Sequence, residues 1–272
     1  MKRSDLFFLA TLAALSLSPA SGHEFWIDPQ SHQVDSGEEI IADIRVGQNF
    51  EGPSYPYIPP NFRLFELARG KARAEVEGRF GDRPAMFQAA EVAGLAIVLH
   101  VTTGSRLVYN ELGKFRTFVE HKDAAWTLEA HRERGLPEAG FAELYTRYAK
   151  SLVAVGDGAG QDRAYGLETE IVALENPYVD DLSDGVDVRV SYKGAPRAST
   201  QVEVFEKAPD GSVLVSTTRT DANGVATVPV KPGHRYMLDA VVLREPAADI
   251  AAAHEVVWES LWANLTFAVP DE

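Results

Sequence analysis

The sequence has no cysteine and only three methionines. Thiolate metal sites, thiol catalysis and disulfide staples are therefore excluded, and so is a methionine-rich site for cuprous ion. Positive charge is scarce as well: 26 Lys and Arg stand against 40 Asp and Glu, a net charge of −14. Such a chain offers little to the phosphates of nucleic acid or to an anionic membrane surface. After the first 22 residues no run is long and apolar enough to suggest a transmembrane helix. A glycine-rich phosphate loop, a Gly-x-Ser-x-Gly elbow and a His-Glu-x-x-His helix are also missing, so no familiar hydrolase or nucleotide site is signalled.

What is present begins with a leader. Lys2 and Arg3 precede an apolar run from Leu6 to Leu15, and small residues stand at Ala20 and Gly22. Charge, apolar core and a small-x-small end predict a signal peptide over 1–22, cleaved after Gly22. The apolar core is shorter than the roughly 20 residues a spanning helix needs. The exported, periplasmic chain would then start at His23, with its α-amine free.

Beyond that point short alternating segments predict strands at His23–Pro29, Glu39–Val46, Phe62–Ala68 and Leu95–Thr102. A loop from Glu51 to Pro60 carries four prolines interleaved with Tyr55 and Tyr57 and belongs on a surface. The period then changes. Lys114 to Arg134 is rich in helix formers and stops at Gly135. Phe141, Leu144, Tyr145, Tyr148, Ala149 and Leu152 follow the spacing of an amphipathic helix, so a helical segment is expected over 114–155.

Strand periodicity resumes at Leu167–Leu174. From about Ser183, valines at 186, 188 and 190 and turns such as Asp221-Ala-Asn-Gly224 predict a second β unit. The expected fold class is thus mainly β: an N-terminal β-sandwich over 23–180 with an inserted helical segment, then an Ig-like or transthyretin-like β-sandwich over 181–272.

A histidine at a free N-terminus can bind one ion through both its amine and its imidazole Nδ1, since the amine's pKa near ~8 leaves a usable neutral fraction. One more imidazole would complete a three-nitrogen set suited to nickel, cobalt or copper. Six other histidines compete for that place. His100 shares a strand face with Ala96 and Val98; its bland reading is a satisfied, half-buried side chain. His121 lies near a helix end, where the macrodipole alone would favour it. His131 falls in a charged helical stretch and reads as solvated, and His32, His234 and His254 read as ordinary surface residues. Glu259 interrupts an apolar alternation in Val257–Phe267, so it needs a partner, for which Arg147 and Lys150 are candidates.

Several segments together resemble the NikM-like family of unknown function linked to periplasmic nickel and cobalt uptake. They are His23-Glu-Phe-Trp-Ile-Asp-Pro29, Val46-Gly-Gln48, Tyr145–Leu152, Glu175-Asn-Pro-Tyr178 and Trp258–Phe267. The resemblance implies a periplasmic metal-binding accessory with His23 as favoured ligand, passing Ni2+ or Co2+ to a membrane metal-uptake transporter component. Cu2+ would also bind such nitrogens, and more tightly. His23, His100 and His121 are accordingly the candidate metal ligands. Two rival readings follow from the same residues. One is a copper oxidative enzyme with a histidine brace, using Trp26, Tyr55 and Tyr57 as a flat aromatic substrate face. The other is a metal-free envelope module binding protein or glycan through the Tyr/Pro loop.

Overall fold

The structure, a computed structural model, describes residues 23–271; the expected signal peptide and its cleavage site reach into 1–22, outside the described residues. In chain order the first strands are β1 (Glu24–Pro29), β2 (Gln33–Val34), β3 (Glu39–Gly47), β4 (Ser54–Tyr55), β5 (Phe62–Arg69), β6 (Ala72–Glu75), β7 (Met86–Ala89), β8 (Gly94–Thr102) and β9 (Ser105–Tyr109). Helices α1 (Leu112–His121) and α2 (Trp126–Glu133) follow, then β10 (Phe141–Val155) and β11 (Thr169–Ala173). The remainder holds β12 (Val186–Tyr192), β13 (Ala195–Pro196), β14 (Gln201–Lys207), β15 (Val213–Arg219), β16 (Val225–Val228), β17 (Arg235–Arg244), α3 (Ala248–His254) and β18 (Trp258–Ala268). The chain is mainly β, as its alternating segments require.

A ten-stranded sheet is the frame. Its order is β15-β14-β17-β18-β10-β8-β5-β6, with β2 and β9 also paired to β10. Two four-stranded sheets cover it from opposite sides. Ala96 and Val98 of β8 pack with Phe25, Ile27 and Ile44 of the sheet formed by β1, β3, β4 and β7. Their neighbours Ile97 and Leu99, pointing the other way, pack with Ile171, Val188 and Val190 of the sheet formed by β11, β12, β13 and β16. The result is a pair of β-sandwiches that share one long sheet. That sheet runs across the division expected at 180/181, with β18 parallel to β10, and so does the smaller sheet in which β11 pairs with β12.

One expectation fails outright. Of the helical segment expected over 114–155, only α1 and α2 are helical; Phe141–Val155 is a 15-residue strand in the middle of the large sheet. Ala149 and Val153 belong to the core on one side, Leu152 to the core on the other. A strand buried on both faces has no polar row, so its sequence shows no alternation and can fit a helical period by accident. The helices that do form sit between β9 and β10. Phe115, Phe118 and Val119 of α1 pack onto Tyr109, Phe141, Trp258 and Trp262, and Gly135 leaves α2 in a left-handed conformation at φ 63°.

Candidate functional site

Between β1, β8, β10 and the loop after β3 lies a cavity of about 510 Å³. Its walls are largely apolar, with Phe25, Ile44, Val46, Ile58, Leu107 and Phe118 among them. The rim owes its shape to glycine. A Cβ on Gly47 would lie 1.9 Å from the Glu51 carbonyl oxygen, and one on Gly52 would lie 2.2 Å from that of Val46. The chain can fold back on itself there only because both residues lack side chains, which gives the Val46-Gly-Gln48 segment a physical reason.

His23 lines this cavity, exposed, just ahead of β1. Phe25 follows on the same side of the strand, and His100 packs against Phe25 at 5.0 Å between ring centroids. His100 is also a lining residue. It stands in an aromatic cage completed by Phe62 at 5.3 Å and Phe65 at 5.0 Å. It is 2% exposed, and neither ring nitrogen has a hydrogen-bond partner. Burial in this cage drives its pKa down to about 3, so the imidazole is neutral with lone-pair nitrogen to offer.

His121 is elsewhere. Its Nε2 meets Glu203 Oε1 at 2.6 Å, a hydrogen bond that raises its pKa. It is tied into a buried polar cluster in which Lys122 donates to Glu203 and, at 3.0 Å, to Asp239. Glu24 lies 3.8 Å from Lys122, and burial pushes its pKa up to about 7. The structure therefore brings His23 and His100 to one cavity and leaves His121 outside its lining. Among the described residues no three His, Asp or Glu side chains are grouped to hold a metal.

Two cavity residues were not among the candidate site residues, both on β10. Glu143 is 2% exposed, and its oxygens accept from Tyr109 Oη at 2.6 Å and from Ser260 Oγ. Burial raises its pKa. Arg147 stacks on Tyr145 at 4.5 Å and on Trp262 at 5.3 Å, and its Nη2 donates to the His23 carbonyl. Burial lowers its pKa. The available signal was three charges, Glu143, Arg147 and Lys150, in a largely apolar run; a helical reading hides it.

Other expectations are corrected by placement. Glu259 does have a basic partner, but it is Arg244, at 2.7 and 2.9 Å, rather than Arg147 or Lys150. His131 is buried, accepting from Trp258 Nε1 at 3.0 Å and donating to the Pro137 carbonyl at 3.0 Å. His32 is buried too, its Nδ1 2.9 Å from the Leu152 carbonyl. Trp26 and Tyr57, 1% and 8% exposed, offer no aromatic substrate face; of the three aromatics, only Tyr55 is exposed.

Residues 20–244 match the family described as "Domain of unknown function (DUF4198)". The chain belongs to this family. Its description names no metal, ligand or activity. No curated protein matches the chain. Among solved structures, the D0-D1 domain of intimin is 14% identical with a TM-score of 0.21, covering 91% of this chain and 99% of its own. A tetra-tandem repeat from the extending region of a large adhesion protein is 12% identical with a TM-score of 0.21, and this chain spans 49% of it. At those scores neither likeness adds to the fold read from the sheets. No helix among the described residues is long and apolar enough to cross a membrane.

Proposed function

We propose that this member of the family is a periplasmic metal-capturing protein that takes Ni2+ or Co2+, or Cu2+ where that is available, for delivery to a membrane uptake partner. The donors are the imidazole and freed α-amine of His23 and the imidazole of His100. One observation carries the reading: two imidazoles line one cavity, and the buried one has no hydrogen-bond partner for either nitrogen. A buried polar group left bare costs about 1–3 kcal/mol, a cost that coordination would remove. The third nitrogen has to come from the backbone amine, because the described side chains supply no third ligand. His121, paired with Glu203, is not in this set.

Calorimetric titration of Ni2+, Co2+ and Cu2+ into protein starting at His23 tests the proposal. His23→Ala and His100→Phe should each weaken binding at least about tenfold, a loss of about 1.4 kcal/mol or more. Unchanged affinity in both variants would remove the reading.

A further inference from the structure

Arg147 is 8% exposed, and its Nε has no hydrogen-bond partner. Among the described residues no carboxylate oxygen lies within 4.0 Å of its guanidinium nitrogens. Three other buried or half-buried cations are treated differently. Lys122 sits on Glu203 and Asp239, Lys150 on Asp162 and Glu170, and Arg244 on Glu259. A buried charge without a direct counter-charge is costly. Its aromatic stack and its bond to the His23 carbonyl hold the Arg147 guanidinium at the cavity wall.

Glu143, the carboxylate in the same lining, and Asp239 act on Arg147 through space but make no direct ion pair with it. Both Glu143 oxygens already accept hydroxyl hydrogen bonds, from Tyr109 and Ser260. The polar groups that remain in the lining include the hydroxyls of Thr102, Thr103 and Ser105. A volume of about 510 Å³ falls in the range that small organic ligands fill, far beyond an inorganic anion.

The geometry points to a small organic carboxylate with an apolar body as a ligand of this cavity, its carboxylate held by Arg147 and its body against the apolar walls. Arginine suits the task because its charge is permanent and its planar donors match a carboxylate. The inference stands on Arg147 and the walls alone and does not require bound metal.

Phenylacetate and its neutral amide, phenylacetamide, are the probes, titrated calorimetrically at pH 7 into protein freed of metal on a chelating resin. Wild-type protein should bind phenylacetate at least about tenfold more tightly than phenylacetamide. Arg147→Gln should abolish the difference. Ile58→Trp, which narrows the cavity and leaves Arg147 in place, should weaken both probes, with near-ultraviolet circular dichroism confirming the folded state of each variant. Absence of phenylacetate binding at about 10 mM, equal binding of acid and amide, or a preference that survives Arg147→Gln would overturn the inference. Because no metal is present, none of these outcomes bears on ion capture by His23 and His100.

Discussion

Arg147 and Lys150 leave β10 three residues apart and therefore on opposite faces of the large sheet. Both are buried, yet their surroundings differ. Lys150 Nζ reaches Asp162 at 2.9 Å, Glu170 at 3.2 Å and the Arg163 carbonyl at 3.1 Å. Those carboxylates accept backbone N–H groups in turn, Asp162 from Ala173 and Glu170 from Tyr165 and Leu167. Every group there has a partner. Around Arg147 the donors and acceptors do not close: its Nε is bare, and so are both nitrogens of His100 across the cavity. The saturated groups around Lys150 hold the fold, whereas Arg147 and His100 leave polar atoms free in the wall of one cavity.

The sharpest way to test that contrast is to remove each cation. Lys150→Met strands two buried carboxylates and should cost about 3–5 kcal/mol in urea unfolding. Arg147→Gln should stay within about 1.5 kcal/mol of wild type, because no carboxylate in direct contact is left behind. Equal losses in the two variants would dissolve the distinction.

His32 lies between these extremes, with Nδ1 bonded to the Leu152 carbonyl and Nε2 bare. Burial lowers its pKa to about 4 in the folded chain, whereas the unfolded value is 6.5. The unfolded state thus binds the extra proton between those values. Its contribution is complete above pH 6.5 and is lost as pH falls toward 4. Relative to His32→Asn, which keeps a donor without titrating there, wild-type protein should lose about 2 kcal/mol between pH 7 and 5. Chemical denaturation across that range reads it; parallel curves would place His32 among the saturated groups.

The smallest effect is expected at His100. Replacing it with Phe keeps the ring inside the cage of Phe25, Phe62 and Phe65 and removes two unsatisfied nitrogens. Stability should rise by about 1 kcal/mol while Ni2+ affinity falls. A loss of stability would mean that His100 is an ordinary core residue.

The sequence disclosed these regions unevenly. Strands with one wet face were readable: Val186, Val188 and Val190 are buried while Asp187, Arg189 and Ser191 are not. β10 was misread because both its faces are buried, and with it the two charges on the cavity side were lost. Glu259 was readable as a group in need of a partner. Its partner was not, because Arg244 comes opposite it only through the β17–β18 register. His100 likewise stood out against its apolar strand. The cage that leaves it bare is built from β1 and β5, at separations no local pattern encodes.

The most direct test of ion capture alters nothing inside the fold. Protein beginning at His23 and protein retaining Ala20, Ser21 and Gly22 ahead of it differ only in whether the His23 amine is free. Calorimetric titration of Ni2+ into both should show at least about tenfold weaker binding in the extended form. Equal affinities would contradict the account, for they would mean that the leading amine takes no part.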